Sequence, residues 1–222
     1  MNLRELNFKL TKESLKKETS RDILIIQTIH TIDELIKIIN ILTANLRERY
    51  GYYAPRASRT ENQEKFLETV QEKKKEDMAL ELNEKDLQSM MEMAEEIKNL
   101  IHMEKSQEEY LESLTREICP NLSKVATSLI GARLIDRAGS LKHLAELPSS
   151  TIQVLGAEKA LFRHLKTGSK APKFGIIFTH QNISKALQNE KGKAARKLAS
   201  EISKAVKIDF FRHNNHKKET TI

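Results

Sequence analysis

Ile25, Ile29, Ile32, Ile36, Ile39, Thr43, Leu46 and Tyr50 follow one another in alternating steps of four and three residues. That spacing holds one face of a helix against a partner helix over successive heptads, and no strand period competes with it. Ser20 is placed to act as N-cap, Asp22 is favourable in the first turn, and Gly51 stops the helix. Leu35, Ile38 and Leu42 widen the stripe, so the helix is predicted to pack against more than one neighbour. A second helix is predicted to start at Asn83. It carries Met90, Ala94, Ile97 and Ile101, then Leu100, Met103, Gln107, Tyr110 and Leu114, and folds back antiparallel to the first. Met90, Met91 and Met93 read as adaptable core filler. Between the helices lie a turn segment with Pro55 and a charged stretch over 61–78. Residues 1–19 are lysine-rich without an apolar period and are expected to be a flexible lead-in or a frayed helix.

Pro120 breaks the second long helix, and shorter elements are predicted over 121–131, 132–146, 150–167 and 190–208. Phe174-Gly-Ile-Ile-Phe178 is an apolar run with no strand partner and is expected to be buried extended chain. The polar, basic segment 212–222 is expected to be a disordered tail. With 7 Gly and 4 Pro in 222 residues, the chain has too few turn residues for a barrel or sandwich, and the fold class predicted is all-α. No uncharged apolar run approaches the ~18 residues of a spanning helix. A soluble, intracellular protein is expected, with no membrane partner.

Charge is divided along the chain. Residues 1–118 hold 19 Lys and Arg against 24 Asp and Glu, whereas residues 119–222 hold 19 against 7. The second half therefore has the footprint of a polyanion binder, or of a partner for acidic proteins.

Catalytic chemistry is not evident. Cys119, the single cysteine, excludes a disulfide framework and lies beside a helix-breaking Pro without a nearby His, so it reads as a structural thiol. His213 and His216 are half of a zinc ligand set. Gly168–Gly175 lacks the spacing of a phosphate loop. Glu158 reads as an intrahelical partner for Lys159 or Arg163 rather than a general base. No enzyme activity, metal or cofactor is predicted.

The basic half is organised by helix faces. Ser150-Thr-Ile-Gln153 has the capping-box form, with Gln153 reaching back to the cap amide. Carried through 150–167 at a helical period, Leu155, Phe162 and Leu165 form an inward stripe with Leu161 at its side. Gly156, Lys159, Arg163 and Thr167 share another face within about 60°. A helix-interior glycine costs about 1 kcal/mol, which close helix packing or a polynucleotide lying on the Gly156 face would offset. On 190–208, Lys193, Lys197, Ser200, Lys204 and Lys207 form a basic stripe flanked by Arg196. Ala195, Leu198, Ala199, Ile202 and Val206 form the apolar one.

Several stretches of the basic half closely resemble the Nop domain. They are Ser149-Ser-Thr-Ile-Gln-Val-Leu-Gly-Ala-Glu-Lys-Ala-Leu-Phe-Arg163, Leu165-Lys-Thr-Gly168, Pro172-Lys-Phe-Gly-Ile-Ile-Phe178, Gly192-Lys-Ala-Ala-Arg196 and Ile208-Asp-Phe-Phe211. Upstream, Ser20-Arg-Asp-Ile-Leu-Ile-Ile-Gln27, Leu46-Arg-Glu-Arg-Tyr-Gly51, Ala94-Glu-Glu-Ile97 and Pro120-Asn-Leu122 are similar to the coiled coil that precedes it in that family. Within the family the chain looks most like the archaeal subunit of box C/D RNA-guided methylation particles. The resemblance covers about 20–211 and implies an antiparallel coiled coil over 20–118 and a compact helical Nop domain over 119–211, between the flexible 1–19 and the basic tail over 212–222 that composition predicts.

It further implies an RNP assembly scaffold for guided 2′-O-methylation of rRNA or tRNA. Such a scaffold binds kink-turn RNA of the box C/D type together with a small kink-turn-binding protein, and forms a homodimer through the coiled coil. The family's motifs fall on Gly156, Ala157, Glu158 and Lys159, and on Ala160, Leu161, Phe162 and Arg163. With Gln153, Lys166, Lys170, Lys173, Lys193, Arg196 and Lys197 these are the candidate RNA- and RNP-binding residues. The resemblance lets Leu161 or Phe162 wedge against bases, where the helical wheel puts them inside; both readings stand at this point. About 19 residues precede the coiled coil, where full relatives have a fibrillarin-binding domain, so fibrillarin is a doubtful partner on this reading. The Tyr50–Ala94 connection is short, and the family's aromatic-Pro-Glu-Leu turn is here Tyr53-Ala-Pro-Arg56. Two other functions are carried: a regulatory Nop paralogue that does not recruit fibrillarin, and a coiled-coil adaptor that does not bind RNA. The cytoplasm is expected for an archaeal protein, the nucleolus or nucleus for a eukaryotic one.

Overall fold

The structure is a computed structural model describing residues 2–18, 21–73 and 80–219, with side chains except at 13–18 and 213–219. The expected N-cap Ser20 and the side chains of His213 and His216 lie outside the described set. Every regular element in that set is helical, as the sequence predicts. They are α1 (Leu3–Glu18), α2 (Asp22–Gly51), α3 (Gln63–Gln71), α4 (Glu84–Ile118), α5 (Pro120–Ala126), α6 (Ser128–Ala138), α7 (Leu141–Glu146), α8 (Ser149–Val154), α9 (Glu158–Thr167), α10 (Gln181–Ser184) and α11 (Lys191–Glu219). Two compact units result, His30–Glu109 and Met1–Ile29 with Tyr110–Ile222. Their boundary lies inside α2 and α4, whereas the sequence reading divides the chain at 19/20 and 118/119.

In the unit His30–Glu109 the isoleucine seam is buried at Ile32 and Ile39, continuing through Thr43, Leu46 and Tyr50. Leu80 N donates to Tyr52 O at 3.0 Å, which brings the chain entering α4 beside the end of α2 and makes the pair antiparallel. The partner is not α4 alone. Phe66, Leu67 and Val70 of α3 join Leu35, Ile39, Leu46 and Tyr50 of α2, and Met90, Ala94 and Ile97 of α4, in one core. Tyr50 meets Phe66 edge-on at 6.1 Å, its hydroxyl donates to Thr69 O at 3.2 Å, and the Arg47 guanidinium stacks 4.4 Å from the Phe66 centroid. Ile38 and Met103, assigned to the packed stripes, are exposed instead.

In the other unit α11 is the spine, packed against α5, α7 and α8. Its apolar stripe Ala195, Leu198, Ala199, Ile202 and Val206 is buried as expected. Nothing after residue 208 stops it, there being no Pro or Gly, so α11 continues to Glu219 through much of the segment expected to be a tail. The lead-in likewise is helical from Leu3 to Glu18.

Two buried carboxylates tie this unit together across long stretches of sequence. Asp209 accepts from Asn121 N at 3.2 Å, Asn121 Nδ2 at 2.6 Å and Leu122 N at 2.8 Å, capping α5 from α11. Asp22, read from sequence as a first-turn charge, accepts from Leu141 N at 2.7 Å and so caps α7. Arg21 pairs with Glu117 where α2 begins and α4 ends.

The predicted elements 121–131 and 132–146 divide differently. Thr127, at φ 63° and ψ 157°, separates α5 from α6, and Gly131 sits within α6. For a β-branched residue that backbone is strained by about 1–3 kcal/mol. The run Phe174–Phe178 is not extended: Ile176–Thr179 forms a 3-10 turn with Ile177 buried. The rings of Phe174 and Phe178 stack at 4.7 Å, and the turn is half-exposed rather than buried throughout.

Candidate nucleic-acid interface

The helix predicted over 150–167 is two helices. α8 ends at Val154, α9 begins at Glu158, and Gly156 between them has φ +88°. That conformation suits glycine, and a Cβ there would stand 2.5 Å from Ile176 Cγ1. The glycine is therefore required by a turn and a close internal neighbour, not by a polynucleotide lying on a helix face. The capping box is also replaced: Pro148 is the N-cap residue, and Gln153 Nε2 donates to Lys173 O at 2.6 Å. Beside it Gly175 N donates to Gln153 O at 2.9 Å, and Ile176 N to Leu155 O at 2.8 Å. Glu158 Oε1 accepts from Gly156 N at 2.6 Å, so this acid turns back on the junction instead of pairing with Lys159 or Arg163.

The break resets the helical phase, and the inner stripe inferred from sequence moves outside. No residue of α9 is buried: Leu161 is 36% exposed, Phe162 70% and Leu165 71%. These three form an apolar strip, and the exposed Lys159, Arg163 and Lys166 form a basic strip beside it, about 60° wide. The question left by the sequence is answered for both side chains; neither Leu161 nor Phe162 is core. Ala157 and Ala160 are half-buried, and Lys170 and Lys173 are exposed on the return segment. Lys193, Arg196 and Lys197 stand on the exposed side of α11, opposite its buried stripe. The turn joining these regions adds a feature no motif announced, the Phe174–Phe178 stack with Lys191 Nζ 5.1 Å from the Phe178 centroid.

A family model described as "Nop: snoRNA binding domain, fibrillarin" matches residues 35–222. The chain belongs to the Nop family. It is 37% identical over 229 residues to an uncharacterised NOP5 family protein of Methanocaldococcus jannaschii, covering 90% of this chain and 55% of that protein. Nucleolar protein 58 of Schizosaccharomyces pombe is 33% identical over 232 residues, with 92% of this chain and 46% of the relative covered. Nucleolar protein 56 of Mus musculus is 35% identical over 221 residues, with 86% and 37% covered. The Nop chain thus spans about half the length of these relatives, or less. Among solved structures, a chain of a fibrillarin/Nop5p complex superposes with a TM-score of 0.58 at 26% identity, over 95% of this chain and 70% of that one. The doubt about fibrillarin drawn from the sequence is not supported, since both the family description and the matched complex name it.

The described residues of this Nop chain include one free, buried cysteine, Cys119. No group of three or more His, Cys, Asp or Glu among them is placed to hold a metal ion. Burial, with the nearby Asp209 and Asp22 carboxylates adding to it, pushes the Cys119 thiol up to about 12, so the sulfur stays protonated and unreactive. No described helix is long and apolar enough to cross a membrane.

Proposed function

We propose that this Nop chain is a non-catalytic assembly protein of RNA-guided 2′-O-methylation particles. Its C-terminal part engages a box C/D-type kink-turn RNA together with the small protein already bound to it, and fibrillarin is the methyltransferase of the same assembly. The observation that carries this reading is α9, an unburied helix on which an apolar strip borders a basic one. A basic strip alone suits naked phosphate; adding Leu161, Phe162 and Leu165 suits a surface made jointly of RNA and protein. The exposed Ile38 and Ile41 on the outside of α2 favour pairing of two copies through the coiled-coil unit. The compartment follows the source, cytoplasm in an archaeon and nucleolus in a eukaryote.

A gel-shift titration with kink-turn RNA, alone and saturated with a kink-turn-binding protein, tests the reading. Much tighter binding to the loaded RNA is expected, because phosphate contacts give little selectivity by themselves. Equal affinity for the two would overturn it.

The basic strip has its own signature. Changing Lys159 and Arg163 together to Ala is expected to flatten the slope of log affinity against log salt by somewhat under 2, as up to two phosphate neutralisations are lost. Both side chains are exposed, so stability should move by no more than about 0.5 kcal/mol. An unchanged slope would shift the phosphate contacts to Lys193, Arg196 and Lys197.

A further inference from the structure

The residues from Gly156 to Pro172 leave the body of the unit and return to the point they left. α8 is anchored through the buried Ile152 and packs on α11, and the turn Ile176–Thr179 is anchored through Ile177. Between those anchors the two strands of the excursion meet in a neck of three hydrogen bonds, Gln153 Nε2 to Lys173 O, Gly175 N to Gln153 O and Ile176 N to Leu155 O. The fit there is close: a Cβ on Gly175 would lie 1.9 Å from Leu155 O and 2.8 Å from Val154 C. Further out, the hydrogen bonds of the excursion close on itself. Gly168 N donates to His164 O at 2.9 Å, the His164 ring contacts Ser169 O, and Glu158 closes on Gly156 N. No residue of α9 is fully buried and only Ala160 and His164 are half-buried, so packing holds the direction of this helix weakly.

We infer that the neck sets the orientation of α9, and that Gln153 and Gly175 are positioning residues that act through α9 without touching the RNP. This rests on the function proposed above. Only molecules with α9 correctly directed bind, and the apparent dissociation constant rises as that fraction falls. The Gln153 side chain supplies the one neck bond that a substitution can remove while leaving the backbone of both strands unaltered. Gln153 therefore belongs to the holding of the contact helix, although the sequence makes it a candidate contact beside the family's motifs.

The test compares the full chain with its Gln153→Met and Gly175→Ala variants. Gln153→Met keeps the side-chain length and removes the donor. It is expected to weaken binding to a kink-turn RNA saturated with kink-turn-binding protein about tenfold, with the melting temperature and the salt slope unchanged. Gly175→Ala forces the strands apart and is expected to cost more. Without any RNA, hydrogen exchange should quicken in the α9 amides of both variants and stay unchanged in the buried part of α11. If Gly175→Ala fails to fold, Gln153→Met decides alone. Wild-type binding with an unaltered Gln153→Met affinity, or unaltered α9 exchange, would overturn the inference. So would a loss of affinity accompanied by a flatter salt slope, because Gln153 would then belong to the contact itself. Failure of the wild type to bind the loaded RNA would refute the proposed function, while the exchange measurement would still read the neck.

Discussion

The double substitution Ile32→Asp, Ile39→Asp is expected to unfold the unit His30–Glu109. Both side chains are almost wholly buried, and Ile39 lies in the core shared by α2, α3 and α4. A carboxylate placed there has no cationic partner supplied by the substitution, and an unpaired buried charge costs several kcal/mol. Two such costs together reach the roughly 5–15 kcal/mol that stabilises a typical domain. Circular dichroism should show a large loss of helicity, and sedimentation a fall in oligomer size if copies pair through this unit. Unchanged melting would mean that the seam is not where the isoleucine spacing puts it. Asn40→Asp is the matched control, because Asn40 is exposed on the same helix and is not one of the two isoleucines proposed to pair copies.

Asp209→Ala is expected to destabilise the unit containing α5 and α11 by roughly 2–5 kcal/mol, measured as a shift of the urea midpoint. The carboxylate is 1% exposed and holds the first amides of α5, Asn121 N and Leu122 N, together with the Asn121 side-chain amide. Its loss leaves buried N–H groups without an acceptor, which is costlier than the loss of the bonds alone. Asp209→Asn retains one oxygen acceptor and should recover part of the difference. A shift under about 0.5 kcal/mol would show that water or a rearranged α5 replaces the cap.

Which parts of this were legible in the sequence follows from the range of the signals. The seam on α2 was legible because a heptad is a local pattern: Ile25 and Tyr50 belong to one uninterrupted helix, and its phase carries from end to end. The same reasoning failed at 150–167 because it assumed continuity. Gly156 reads from sequence as a costly residue inside a helix, and that cost is the clue that it does not lie inside one. Once the helix breaks there, residues on either side no longer share a wheel, and Phe162 and Leu165 turn outward. The basic residues of α9 survived the error, since Lys159 and Arg163 remain one turn apart on either reading. Asp209 and Asp22 were beyond reach for another reason. Their partners lie 87 to 119 residues away, and a cap supplied from such a distance leaves no mark on the neighbouring sequence.

That last feature bears on the order in which the chain acquires its structure during synthesis. The unit His30–Glu109 is a continuous stretch and has all its core residues once α4 has left the ribosome. The other unit is split around it, and Asp22 emerges long before Leu141, the amide it caps. α5 meets its own cap later still, when Asp209 follows. A continuous unit inside a split one gives the chain an order of closure, since its own core can form while the residues after Tyr110 are still being made. Once it forms, the roughly 80 residues by numbering between Ile29 and Tyr110 no longer act as a free loop, and the entropy of closing them has been met before Asp209 emerges.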